Sequence, residues 1–135
     1  IWANLGYEKK NLHLANEDVF IGGPLAANAM FVVHSSEYFV DKKTIKVCEE
    51  ISVTGTKEIT DDIQKGKGPR KVLFLLGYSG WAPGQLEDEI MRDSWFISEK
   101  VENLIFCVDY QSKWSDALFL IGIDPSKLSS YAGSS

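Results

Sequence analysis

The sequence predicts an α+β domain, and three observations carry that prediction. Apolar runs are short and change period along the chain, from continuous or alternating stretches of strand type to helical spacings of three and four. Their order is irregular, without the strict strand–helix alternation of a parallel α/β fold. Glycine and proline punctuate the changes of period. With 135 residues, 44% hydrophobic and 24% charged, the chain matches one folded domain in size and composition. We assign residues 1–128 to that domain and 129–135, rich in Ser and Gly, to a flexible tail.

Taken in order, residues 1–15 show little periodicity and read as a helical turn followed by loop. A short strand at 18–21 is closed by Gly22-Gly23-Pro24, a tight-turn composition. The nearly continuous apolar run at 29–34 predicts a strand covered on both faces, and residues 37–43 are turn-like. Alternation at 44–48 and 50–54, with Ile45, Val47, Ile51 and Val53 in phase, predicts a half-exposed strand or hairpin. Ile59 and Ile63 lie four apart among charged residues, so 57–65 reads as a helix stopped by Gly66. Residues 72–76 (VLFLL) are the most apolar run and hence the central strand.

A helix at 84–92 follows Pro83, with Glu87, Asp88 and Glu89 in its first turns, where the macrodipole favours negative charge. Apolar runs at 94–98 and 104–108 read as strands. Trp114, Ala117, Leu118 and Ile121 share one face of a helix at 112–121, with Gly122 as a left-handed stop and Ile123 folding back on it. Asp124-Pro125 reads as the N-cap and first residue of a last short helix. The sum is seven or so strands and three helices.

Nineteen acidic against fourteen basic residues give a formal charge of −5, which disfavours direct DNA binding, where affinity comes largely from excess cationic charge. No apolar stretch is long enough to span a bilayer, so no membrane partner is expected. Cys48 and Cys107 form no C-x-x-C or metal-ligand cluster and read as reduced thiols, each half-buried in a strand; this fits the cytoplasm. No metal or cofactor is implied.

At residues 77–90 the chain reads Gly-Tyr-Ser-Gly-Trp-Ala-Pro-Gly-Gln-Leu-Glu-Asp-Glu-Ile, followed by Trp95. This segment resembles the signature of the AlgH/YqgE family of bacterial proteins. Four further blocks agree in order: Phe20-Ile21-Gly22-Gly23-Pro24, Phe31-Val32-Val33-His34-Ser35, Gly66-Lys67-Gly68-Pro69, and Trp114 through Leu118 to Gly122-Ile123-Asp124. The resemblance implies a bent, largely antiparallel sheet forming a pseudo-barrel with about three flanking helices. It also implies a description as transcriptional regulators, with no enzymatic activity or catalytic residue set attached. Family members begin with additional strands ending in an INRP-like segment, so the resemblance reads this chain as N-terminally shortened. An opened sheet edge would then invite chain-to-chain pairing.

Three groups of residues are candidate sites. In the 77–85 segment, Gly77 and Gly80 allow close backbone approach, while Tyr78, Ser79, Trp81 and Gln85 offer stacking faces and hydrogen-bond groups to a protein or small-molecule partner. A sharp strand-to-helix corner requires much the same residues, and that structural role weighs more. Lys67, Arg70 and Lys71 form a local basic patch, the natural landing place for an anion. Their spacing lacks the phosphate-loop pattern. His34 and Ser35 are a base and a hydroxyl, but neighbours on a strand point to opposite faces, so they do not form a nucleophile–base pair. The leading expectation is a non-enzymatic binding or regulatory domain; the alternative is an enzyme with a site around His34 and the 77–85 loop.

Overall fold

The computed structural model describes residues 10–14, 17–99, 102–107 and 109–132. They divide into two units, Ile1–Gly80 and Trp81–Ser135.

The first unit is a six-stranded sheet with one helix. Its strands are β1 (Lys10–Leu14), β2 (Glu17–Ile21), β3 (Leu25–Ser35), β4 (Thr44–Lys46), β5 (Ile51–Thr54) and β6 (Val72–Tyr78), with α1 (Lys57–Gln64) between β5 and β6. The spatial order is β1-β2-β6-β3-β5-β4. Four of the pairings are antiparallel, and β2 runs parallel to β6. The apolar run at 72–76 thus lies in the interior of the sheet, as its composition predicts.

The register explains the core. Val19 pairs with Phe74, Phe74 with Val32, Val32 with Thr54, and Thr54 with Thr44, forming one row across five strands. Side chains along a strand alternate faces, so Met30 and His34 share the face of Val32. Ile59 of α1, wholly buried, joins Val19, Val32, Phe74 and Leu76 there, and Ile63 one turn on packs against the cluster. The four-residue spacing of these isoleucines supplies the helix's apolar stripe.

The described sheet begins at β1 and ends at β4 without closing, which corrects the expected pseudo-barrel. Residues 10–14, expected as loop, form edge strand β1, while the helical turn expected nearer the start lies outside the described residues. The Gly22-Gly23-Pro24 stretch does not make a hairpin, because β6 sits between β2 and β3.

The second unit is helical: α2 (Gln85–Met91), α3 (Glu102–Ile105), α4 (Lys113–Leu120) and α5 (Pro125–Ala132). Two expected strands fail here. Residues 94–98 are irregular, with Phe96 and Ile97 exposed; of 104–108, residues 104 and 105 lie in the one-turn helix α3, and residue 108 lies outside the described residues. Short apolar runs do not distinguish strand from helix by period. The predicted end of α4 is present in full. Gly122 has φ of +80°, its N–H donates to the Phe119 carbonyl, and the Ile123 N–H donates to the Leu118 carbonyl, the paired bonds of a Schellman motif. Asp124 Oδ1 accepts from the Ser126 hydroxyl and backbone N–H, which hold its carboxyl below the usual range. Helix α5 continues to Ala132, into the stretch whose composition suggested a flexible tail.

Candidate functional site: the glycine-rich signature segment

The segment 77–85 is divided between the two units, with Gly77 to Gly80 ending the sheet unit and Trp81 opening the helical one. In the sheet unit the ends of the parallel strands β2 and β6 meet backbone to backbone. A Cβ on Gly23 would lie 2.2 Å from the Tyr78 carbonyl carbon, and one on Gly77 would lie 2.4 Å from the Gly23 carbonyl oxygen. Gly77 also holds a φ of +74°, in the region that L side chains avoid. The Gly22 N–H closes the junction on the Leu76 carbonyl at 2.7 Å. The two glycine blocks are therefore halves of one contact. Beyond it the Tyr78 ring stands edge-on to Phe31, 5.7 Å away, and is 45% exposed; Ser79 and Gly80 are exposed as well.

In the helical unit the rest of the signature converges on one carboxylate. Glu89 Oε2 accepts from the indole N–H of Trp81 at 3.0 Å and of Trp95 at 2.7 Å, and Oε1 accepts from the Gln85 amide at 3.0 Å. Gln85 Oε1 in turn accepts from the Ala82 N–H, fixing the approach to α2. Gly84 enters α2 with φ of +81°, and a Cβ added there would meet open space. The two indoles stand at 75°, centroids 5.8 Å apart. The N–H bonds from Trp95, Trp81 and Gln85, in that order, hold the Glu89 carboxyl below its ordinary range, so it carries its charge near neutral pH. Trp81 is 37% exposed.

His34 and Ser35 have different surroundings. The His34 ring is 0% exposed. Its Nδ1–H donates to the Ser35 carbonyl at 2.9 Å, and its Nε2 is hydrogen-bonded to the Thr54 hydroxyl at 2.8 Å. Thr54 Oγ1 shares a hydrogen bond with the Thr44 hydroxyl, and Thr44 Oγ1 accepts from the Val40 N–H. A chain of hydrogen bonds thus ties β3, β5 and β4 together. Tyr38 stands edge-on to His34 and donates to Asp62 of α1; burial, then that carboxylate, push its phenol well above the usual range. Among the described residues no hydrogen bond joins His34 to Ser79 or to a carboxylate.

Ser35 donates to Glu37 and accepts from the Lys71 N–H. Glu37 also accepts from the Arg70 N–H and lies 3.6 Å from the Arg70 Nε. Burial raises the Glu37 carboxyl, but the bonds from Arg70 N–H and the Ser35 hydroxyl, with its own N–H and the Arg70 charge, outweigh it and leave it low. Of the expected basic patch, Arg70 thus has an acidic neighbour and Lys71 is tied to β3 through its backbone, while Lys67 is exposed on the loop.

A cleft of about 290 Å³ lies between β3 and the start of α1, lined by Met30, Val32, Gly55, Thr56, Lys57 and Thr60. The Thr56 hydroxyl is buried there with no hydrogen-bond partner and does not cap α1. Both cysteines are free, but neither lies in a strand: Cys48 is exposed in the β4–β5 turn and Cys107 follows α3. The sequence reading missed Thr54 as the partner of His34, with Thr44 bonded to it in turn, and Glu89 as the hub of the signature. The spacing of Gln85 and Glu89, one helical turn apart, was the available signal for the hub.

A family model described as AlgH-like (DUF179) matches residues 3–126. The chain belongs to the AlgH-like family. Curated relatives named UPF0301 protein include one from Nitrobacter hamburgensis, 43% identical over 115 residues, covering 85% of this chain and 53% of the relative. One from Cereibacter sphaeroides is 42% identical, covering 85% of this chain and 62% of the relative. The chain therefore spans little more than half the length of these AlgH-like relatives. The solution structure of the AlgH protein from Pseudomonas aeruginosa superposes with a TM-score of 0.70 at 29% identity, over 85% of this chain and 60% of that one. A crystal structure of a Corynebacterium diphtheriae protein shares the fold, with a TM-score of 0.61 at 21% identity over 75% of this chain and 54% of that one. Among the described residues of this AlgH-like chain no helix is long and apolar enough to cross a membrane.

Proposed function

We propose that this AlgH-like chain acts by binding, as a regulatory domain that meets a protein or small-molecule partner through the exposed rings of its signature segment. One observation carries the reading. The side chains best suited to proton transfer, His34 and Ser35, are buried and bonded within the sheet, whereas Tyr78 and Trp81 keep more than a third of their surface in solvent. Rings held by hydrogen bonds or edge-on packing lose little conformational freedom on contact, which favours them as anchors. A transcriptional-regulator role fits through protein contacts, since the charge of −5 works against a duplex DNA partner. The two free thiols fit a cytoplasmic setting.

A ligand screen by thermal shift tests the reading. Compounds or peptides that raise the wild-type midpoint should lose most of that effect on Tyr78→Ala or Trp81→Ala, and keep it on His34→Gln. Hits that ignore both rings but depend on His34 would overturn it.

A further inference from the structure

Resting on the reading of the Trp81 end as a contact face, we propose that Trp81, Trp95 and Glu89 form a receptor for a cationic side chain, above all a guanidinium, on a basic partner peptide. The chemistry follows from what each group presents. An indole face is electron-rich and attracts cations, Trp more strongly than Tyr or Phe, and guanidinium stacks on it readily. Here two indoles meet at 75° with both N–H edges turned toward the same carboxylate oxygen, so their edges are used and the exposed part of Trp81 remains for stacking.

Glu89 supplies the charge. Its donors are the neutral N–H groups of two indoles and an amide, which fix the carboxylate in place and keep it ionised without neutralising it. Among the described residues no Lys or Arg forms an ion pair with it. Among the described residues Oε1 accepts only the Gln85 amide, leaving capacity for a charge-assisted bond. The surroundings reinforce the sign: residues 81–99 contain Glu87, Asp88, Glu89, Asp93 and Glu99 against Arg92 alone. An anion would be repelled here, and a neutral ligand would leave the charge unused.

The test uses the 135-residue chain with blocked tetra-arginine as probe and blocked tetra-citrulline as its neutral isostere. The readout is the indole N–H resonances of Trp81 and Trp95, assigned through single Trp→Phe variants. Tetra-arginine should move both resonances saturably, and tetra-citrulline should not. Glu89→Gln should weaken the tetra-arginine affinity at least tenfold, and added salt should weaken it in the wild type. Trp81→Leu, which leaves Glu89 bonded to Trp95, should weaken it at least fivefold and keeps the test decisive if Glu89→Gln disturbs the fold. Equal response to citrulline would overturn the cation receptor while leaving Trp81 as a contact face, and undiminished affinity in both variants would overturn the receptor together with Trp81's part in the contact. No response of the indoles to tetra-arginine would also overturn the receptor. Binding that instead moves resonances of β3 around His34 would overturn both readings.

Discussion

The two units of the chain are built on different terms. In the sheet unit, Val19, Val32, Ile59, Phe74 and Leu76 form a dry cluster, and the polar groups beside it, His34 and Thr54, are buried and mutually bonded. In the helical unit, Leu118 is the one buried hydrophobic residue among those described, while Met91, Phe96, Ile97, Phe119 and Leu120 are all more than half exposed. Its order comes from local devices instead: the Gln85–Glu89–indole cluster, the Schellman end of α4 and the Asp124 cap. Long-range burial holds one unit, and short-range hydrogen bonding holds the other. Substitutions in the first should therefore cost much more than substitutions in the second.

The strongest attempt to break that contrast is Gly23→Ala. The new methyl would meet the Tyr78 backbone at 2.2 Å, and neither strand can yield without losing the β2–β6 pairing. A loss of about 3 kcal/mol in urea unfolding is expected; a loss under about 1 kcal/mol would show that this junction is soft. His34→Leu should cost about 2 kcal/mol, because the Thr54 hydroxyl, left with Thr44, and the Ser35 carbonyl each lose a hydrogen bond with the ring inside the sheet. In amide exchange its effect should reach β4 through Thr44.

In the helical unit, Gly122→Ala forces a left-handed residue at the end of α4 and should cost about 1 kcal/mol. Its exchange signature should stay within α4 and α5, and spread into the sheet would contradict the local character of that unit. Acidification sharpens the comparison further. Glu37, Glu89 and Asp124 all have folded-state values below their ordinary ones. Their contribution is full above the unfolded value, near 4.5 for the two glutamates, and is lost as pH falls through the lower folded value. Loss of the Ser35–Glu37–Arg70 link should loosen the start of β6, and loss of the Glu89 charge should shift the indole resonances. The smallest effect is Thr56→Val, which removes a hydroxyl that has no partner; thermal denaturation should change by less than about 0.5 kcal/mol.

What could be read in the sequence follows the same division. Where burial enforces a period, as in Ile59 and Ile63 of α1 or residues 72–76 of β6, element type and place were legible before the structure. The Schellman end at Gly122 was legible because its rule is local. The runs at 94–98 and 104–108 were not, since none of their described residues is fully buried in a face that would select a conformation. The signature segment itself could be read, but not its wiring, because the meeting of Gly23 with Gly77 depends on a parallel pairing between segments far apart in the chain. The alternation rule that separated His34 from Ser35 was sound; it could not show that Thr54, on another strand, would be the histidine's partner.

That parallel pairing has a consequence for how the chain reaches its native state. Strand β2 leaves the ribosome before its neighbour β6, which follows only after β3, β4, β5 and α1 have been made. Parallel partners cannot be joined by a tight turn, and closing so long a loop is slow compared with forming a hairpin. During synthesis Val19 and Ile21 must wait for their seats beside Phe74 and Leu76, so the glycine junction is a late seal on the sheet, and a nascent chain halted before residue 72 would carry β2 paired with β1 on one side and open to aggregation on the other.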